Sequence, residues 1–136
     1  MAPVRYIAEL FARFARSGNP KDFGRRAEKL AEEYLRFKGY RILCRNWRTR
    51  FGEIDLVVQK DDTLVFVEVK ARRSRRKGRP EEALTPAKKT RLLTLARCYL
   101  SSFKGRVGRV RFDVLALDFS GKIPDIRHFE GVIEDG

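Results

Sequence analysis

The stretch GEIDLVVQKDDTLVFVEVK, residues 52–70, decides the fold. Two apolar arms, Glu53 to Lys60 and Thr63 to Lys70, flank a polar tip at Asp61 and Asp62. Both arms are rich in Val, Ile, Leu and Phe, so they read as a buried hairpin. With the turn centred between the two aspartates, Asp55 falls opposite Glu68 and Glu53 opposite Lys70. A three-residue loop would shift that register. Directly opposed side chains share a face, with Cβ atoms roughly 4.5–5.5 Å apart. Two carboxylates so placed in a buried strand pair repel each other. A proton, a basic side chain or a bound cation has to compensate.

The elements around the hairpin follow from periodicity. Upstream, Asp22 is a plausible N-cap for a helix to Lys38, with Phe23, Ala27, Leu30, Ala31, Tyr34 and Leu35 on its apolar face. Gly39 is placed to close it in a left-handed cap. Tyr40 to Trp47 is strand-like. Downstream, Thr85 and Pro86 open a second helix with Leu92, Leu93, Ala96, Tyr99, Leu100 and Phe103 on its buried side. Gly105 and Gly108 bracket its exit, Arg109 to Asp118 is a strand, and Ile126 to Ile133 is a weaker one. A meander followed by a helical crossover gives an α/β fold, a mixed central sheet with helices against its faces. Residues 1–20 read as a helical extension and 21–136 as a single domain. In the extension, Val4, Ile7, Ala8, Phe11, Phe14 and Ala15 form an apolar stripe that ends at Ser17, Gly18, Asn19 and Pro20.

Composition narrows the function classes. At 136 residues and 43% hydrophobic residues, the chain has enough apolar surface for one real core. No apolar run approaches the roughly 18 residues that cross a bilayer, and no uninterrupted apolar leader stands at the start. Cys44 and Cys98 cannot build a disulfide framework, and His128 is too little to complete a structural zinc site with them. A reducing, cytoplasmic setting is expected. The net charge is +13, and the segment from Lys70 to Arg111 carries all of it, with fifteen basic and two acidic residues. Such a concentrated field favours a polyanion. Seven of the ten residues from Lys70 to Arg79 are basic, and five of these are arginines, whose forks match phosphate oxygens.

The hairpin carboxylates suit phosphodiester hydrolysis. Mg²⁺ or Mn²⁺ would be held by Asp55, Glu68 and the backbone carbonyl of Val69, the oxygen donors that hard cations take. Lys70, on the face of Glu68 by strand alternation, would orient the attacking water or stabilise charge building on phosphorus. From spacing alone, a structural ion-pair cluster of Asp55, Glu68 and Lys70 explains the pattern equally well. Glu53, facing Lys70, reads as a partner that holds the lysine.

Gly52-Glu53-Ile54-Asp55-Leu56 followed by Val65-Phe66-Val67-Glu68-Val69-Lys70 resembles the signature of the YraN family of small bacterial proteins. So do Gly24, Ala27, Glu28, Ala31, Tyr34-Leu35, Gly39-Tyr40 and Arg45-Asn46 before it. Lys89, Ala96, Tyr99-Leu100 and Arg111-Phe112-Asp113-Val114 continue the likeness, which spans about residues 22–118. That family is similar to archaeal Holliday-junction resolvases and, more widely, to PD-(D/E)XK restriction-endonuclease-like nucleases. The resemblance implies an αβββαβ core with a metal-dependent nuclease site. The motif's Asp falls on Asp55, its Glu on Glu68, its Lys on Lys70, and the acidic residue of the first core helix on Glu28. Ile54 stands where the superfamily motif has Pro. Glu28 would then serve the metal directly or through water; on helix periodicity alone it is a surface carboxylate beside Ala27.

Arg72, Arg73, Arg75, Arg76, Lys77 and Arg79 leave the rim of this site and are expected to reach flanking phosphates. Lys88, Lys89 and Arg91 lie in the first turns of the next helix, whose N–H groups also attract anions. No base-reading motif is present, so backbone and shape recognition is expected, of DNA before RNA. Trp47 and Phe51 flank Arg48-Thr49-Arg50 and offer rings for an unpaired base, although core packing is the simpler job for Trp47. The leading expectation is a Mg²⁺- or Mn²⁺-dependent endonuclease on structured or branched DNA. The competing one is a nucleic-acid-binding module on a nuclease-like fold that does not cleave. Resolvase-like nucleases often act as homodimers. The extension's stripe suggests a membrane-surface helix only weakly, and no stable membrane association is expected.

Overall fold

The computed structural model describes residues 20–73, 84–121 and 125–133. The expected extension, together with Arg75, Arg76, Lys77 and Arg79, lies outside these residues. Helix α1 (Pro20–Phe37) leads into strands β1 (Arg41–Thr49), β2 (Gly52–Lys60) and β3 (Thr63–Arg72); α2 (Pro86–Ser102), β4 (Arg109–Asp118) and β5 (Asp125–Phe129) follow. The sheet has the spatial order β1-β2-β3-β4-β5. All its pairs are antiparallel except β3 with β4. That parallel pair needs a crossover, and α2 provides it. The result is the expected mixed sheet and is consistent with a restriction-endonuclease-like αβββαβ core.

Each helix covers one face of the sheet. Ala27, Leu30, Ala31, Tyr34 and Leu35 of α1 pack on Leu56, Val58, Val65, Val67, Leu115 and Leu117. Leu92, Leu95 and Ala96 of α2 pack on Ile54, Val57, Leu64, Phe66 and Phe112. Leu95 is fully buried and adds to the α2 face expected from periodicity. Strand alternation explains the division within β3: Val65 and Val67 meet α1 while Leu64 and Phe66 meet α2. Burying a Leu or Phe side chain of this kind stabilises by about 1.5–3 kcal/mol.

Three boundaries differ from expectation. Helix α1 begins at Pro20, so Asp22 lies inside its first turn and is not its N-cap; Pro fits there because its missing N–H costs nothing at a helix start. Its end is as expected, with Gly39 at φ +94 and Tyr40 N donating to Leu35 O at 2.9 Å. Strand β5 stops at Phe129 and not at Ile133. Asp113 captures the chain there: its Oδ1 accepts from Gly131 N at 3.1 Å, and its Oδ2 lies 2.7 Å from His128 Nε2. Arg111 completes this buried node with two bonds of 2.8 Å to the same carboxylate. Strand β1 runs on to Thr49, because it stays paired with β2 as far as Thr49↔Gly52.

Candidate active site

The β2–β3 register matches the expected one from Lys60↔Thr63 to Leu56↔Val67. There the pairing stops, although both strands continue. β2 stays with β1 through Trp47↔Ile54, Arg48↔Glu53 and Thr49↔Gly52, whereas β3 stays with β4 to Arg72↔Asp118. The sheet therefore parts beside Asp55. Val69 N–H, which an unbroken hairpin would give to the β2 backbone, instead donates to Asp55 Oδ2 at 2.8 Å. The side chain at the fork replaces the missing ladder bond.

Three carboxylates meet on the α1 side of the fork. Glu28, Glu53 and Asp55 each offer an oxygen, and these atoms all lie within 4.8 Å of one another. Glu28 comes from α1, one position past core-facing Ala27, and is half-buried. Asn46 hydrogen-bonds it from a left-handed position in β1, φ +49; Asn tolerates that conformation better than most residues. Burial, then the Glu53 charge, pushes the Glu28 carboxyl up despite Asn46 and Arg48. Asp55 is pushed up to about 7, chiefly by burial and next by the Glu68 charge. Glu28 and Glu53 add to that push, and the Val69 N–H opposes it. An acid so perturbed marks a place where negative charge is crowded and poorly compensated.

Glu68 stands on the other side of the fork, facing α2. Lys70 Nζ lies 3.2 Å and Lys88 Nζ 3.3 Å from the same oxygen, Glu68 Oε1. Lys88 reaches it from the first turn of α2, which Thr85 caps by accepting from Lys88 N at 3.3 Å. Burial penalises the charge on both lysines; contacts with Lys88 and Glu68 leave Lys70 raised, while burial and Lys70 itself leave Lys88 lowered.

Two expectations need correction. Asp55 is not paired opposite Glu68 on a shared face: the β2–β3 pairing ends at Leu56↔Val67, and Asp55 joins Glu28 and Glu53 while Glu68 turns to Lys70 and Lys88. Glu53 does not hold Lys70: its carboxylate takes Arg48 Nε at 2.7 Å, because β2 has followed β1 and carried Glu53 to a cross-strand partner there. Lys70 is held by Glu68. Lys88, expected among the rim phosphate contacts, is thus an ion-pair partner of Glu68, and Asn46, known from sequence only as part of the Arg45-Asn46 likeness, stands beside Glu28; a basic residue at the third position of a capped helix is the only local signal for the former. Among the other basic residues, the Arg73 guanidinium sits 4.3 Å from the Phe23 ring centroid, Arg72 is half-buried, and Arg91 packs beside Gly52. Lys89 is half-buried at the start of α2.

A groove of about 420 Å³ runs from Asp55 and Leu56 along α1, lined by Arg25, Glu28, Lys29 and Arg45 among others. The three grouped donors, Glu28, Glu53 and Asp55, are all carboxylate oxygens, which fits a hard divalent cation; Glu68, also expected as a ligand, lies outside this group and is ion-paired to Lys70 and Lys88. Among the described residues, no helix is long and apolar enough to cross a membrane.

Comparison with known proteins agrees with the likeness in the motifs. The model of the Uncharacterised protein family UPF0102 matches residues 27–117. A UPF0102 protein of Syntrophomonas wolfei is 52% identical over 97 residues, covering 71% of this chain and 84% of that one. One from Pelotomaculum thermopropionicum is 48% identical over 113 residues, 81% and 93% of the two chains. One from Chlorobium limicola is 46% identical over 99 residues, 73% and 77%. The chain belongs to the UPF0102, or YraN, family.

Proposed function

We propose that the protein is a metal-dependent endonuclease that cuts structured or branched DNA with little sequence preference. The observation that carries this reading is the crowding of Glu28, Glu53 and Asp55 where the sheet parts, next to Glu68 and two lysines. Mg²⁺ or Mn²⁺ bound there supplies Lewis-acid polarisation of a phosphodiester and a water of lowered pKa. Asp55 and Glu68 are its proposed ligands, joined by Glu28 directly or through water. Glu53, within reach of the same point, is a further candidate despite its bond to Arg48. The Val69 carbonyl turns to the same opening as its N–H, as in any strand residue.

The chain's own groups provide the rest. On this reading Lys70 and Lys88, anchored on one Glu68 oxygen, would offset the negative charge that gathers on phosphorus. Lys70 is also placed to orient a water. Arg72, Arg73, Arg75, Arg76, Lys77 and Arg79, with Lys89 and Arg91, supply phosphate contacts that position the strand without reading bases. The test is cleavage of forked, four-way and linear DNA in Mn²⁺. Cutting should disappear in Asp55→Ala and Glu68→Ala; unchanged cutting in both overturns the assignment.

One observation favours a second reading, a nucleic-acid-binding module that does not cleave. Glu68 is already ion-paired by two lysines. On that reading Asp55→Asn and Glu68→Gln bind DNA as well as the native protein or better, and no DNA is cut in any metal.

A further inference from the structure

The turn between β1 and β2 carries an aromatic ring that the core does not use. Phe51 is 49% exposed, the most exposed large apolar side chain among the described residues. Trp47, four residues earlier, is spoken for: its ring meets Tyr99 edge-on at 5.5 Å and packs with the α2 core. The turn is held firmly. Thr49 Oγ1 accepts from Phe51 N at 3.0 Å, and Gly52, at φ +141, sits against α2 so closely that a Cβ there would lie 3.0 Å from Arg91 Cδ. The ring is thus presented on a fixed support.

Its surroundings specify what would cover it. The Arg50 guanidinium lies 4.8 Å from the ring centroid. Arg48, 76% exposed, bonds Glu53 at 2.7 Å and so ties the turn to the carboxylates. Glu53 is two strand residues from Phe51, roughly 6–7 Å along the chain. With Arg50 over part of the ring and Arg48 beside it, the ring surface that stays exposed suits a flat, π-rich group attached to an anionic backbone. Bases inside a continuous duplex have both faces covered by neighbours, so the group has to be unpaired or unstacked.

We propose that Phe51, flanked by Arg48 and Arg50, is a stacking platform for an unpaired nucleobase next to the phosphodiester held at the carboxylates. It selects DNA with unpaired bases, such as forks and junction centres, over continuous duplex. The inference rests on the nucleic-acid reading above and adds a residue that chooses the substrate.

The test uses the full chain in EDTA, so binding is measured apart from cleavage. Fluorescence anisotropy is recorded with a fork carrying 2-aminopurine at its first unpaired position and with a continuous duplex, for native protein, Phe51→Ala and Phe51→Tyr. Phe51→Ala is expected to weaken fork binding about 5- to 100-fold with duplex binding kept, as loss of one stacked base does. Phe51→Tyr should retain fork affinity, and the native protein, but not Phe51→Ala, should quench 2-aminopurine. Native protein that binds neither DNA overturns the nucleic-acid reading together with this one. Binding of both DNAs with Phe51→Ala equal to native protein, or weakened equally on both, overturns the platform alone. So does a change in oligomeric state in Phe51→Ala with fork affinity intact, which would make the ring a subunit contact.

Discussion

Replacing Asp55 with Asn should stabilise the metal-free protein, and by an amount that grows with pH. In the unfolded chain an aspartate ionises near 3.8, whereas in the fold Asp55 keeps its proton to about 7. Between those values the native state binds one proton more than the unfolded state, so stability falls as pH rises. The slope is up to about 1.4 kcal/mol per pH unit, and over the whole window the loss is about 2–4 kcal/mol. The lower figure allows for solvent screening around a carboxyl that is not fully buried and that Glu28, Glu53 and Glu68 surround from α1, β2 and β3. Asn has the same shape, carries no charge, and its amide oxygen can still accept from Val69 N–H.

Urea unfolding in EDTA at pH 4, 5, 6, 7 and 8 reads the difference directly. Asp55→Asn and native protein should be close at pH 4 and separate progressively to pH 8, with the variant more stable. The comparison cancels other titrations, including that of Asp113. Millimolar Mg²⁺ at pH 8 should then recover stability in native protein alone, by about 2.7 kcal/mol where it exceeds its dissociation constant a hundredfold. A difference that does not change with pH, or an Asp55→Asn protein less stable at pH 8, would refute the claim that uncompensated negative charge crowds this fork.

Asp113→Asn should cost about 3–5 kcal/mol at pH 7, since it strands half-buried Arg111 beside Tyr40 and loosens β5; chemical denaturation measures it. Hydrogen bonds from His128, Arg111 and Gly131 outweigh burial and hold the Asp113 carboxyl below its usual range. Its contribution is therefore present above pH 3.8 and lost as pH falls through the lower folded value, which acid titration of native protein against Asp113→Asn will show. Gly52→Ala, forced to φ +141, should lose about 1–3 kcal/mol in thermal unfolding, and equal stability would show the turn to be freer than described. Lys89→Ala should weaken duplex binding on every sequence and reduce the slope of log K against log salt by about 0.9, as loss of one phosphate contact does.

The hairpin was legible because its polar tip fixes a two-residue turn, and a register fixed at Lys60↔Thr63 propagates to Leu56↔Val67 without further information. Helix α1 was legible from its stripe of Ala27, Leu30, Ala31, Tyr34 and Leu35, and the crossover from the capped start at Thr85-Pro86. The parting of the sheet was not legible. It arises because β2 is drawn to β1 and β3 to β4, contacts between segments that carry no local mark of each other. Extending the hairpin register past Leu56 accordingly assigned Glu53 to Lys70, when its true neighbour is Arg48 on a third strand. Lys88 is hidden for a related reason, since it stands twenty positions along the chain from Glu68 and on a different element.

The fork sorts charge to its two sides. On the α1 side, Glu28, Glu53 and Asp55 come within 4.8 Å of one another while Arg48 bonds only Glu53, so within this group negative charge is in excess when all three are ionised. On the α2 side, Lys70 and Lys88 gather around one anion, Glu68, and leave positive charge in excess. A purely structural ion-pair cluster has no use for that separation: one lysine neutralises one glutamate, and a second, crowded onto the same oxygen, adds repulsion and desolvation cost. Both lysine contacts fall on Oε1, and a carboxylate has about four lone-pair positions, so Glu68 keeps acceptor capacity toward the fork. Under the proposed function, a divalent cation carrying a phosphate oxygen would have the complementary arrangement, positive toward the carboxylates and negative toward the lysines. Because the strands part at this point, the two surpluses are not mixed within a continuous sheet. A hairpin left zipped to its end would have set Glu53 against Lys70 and cancelled both.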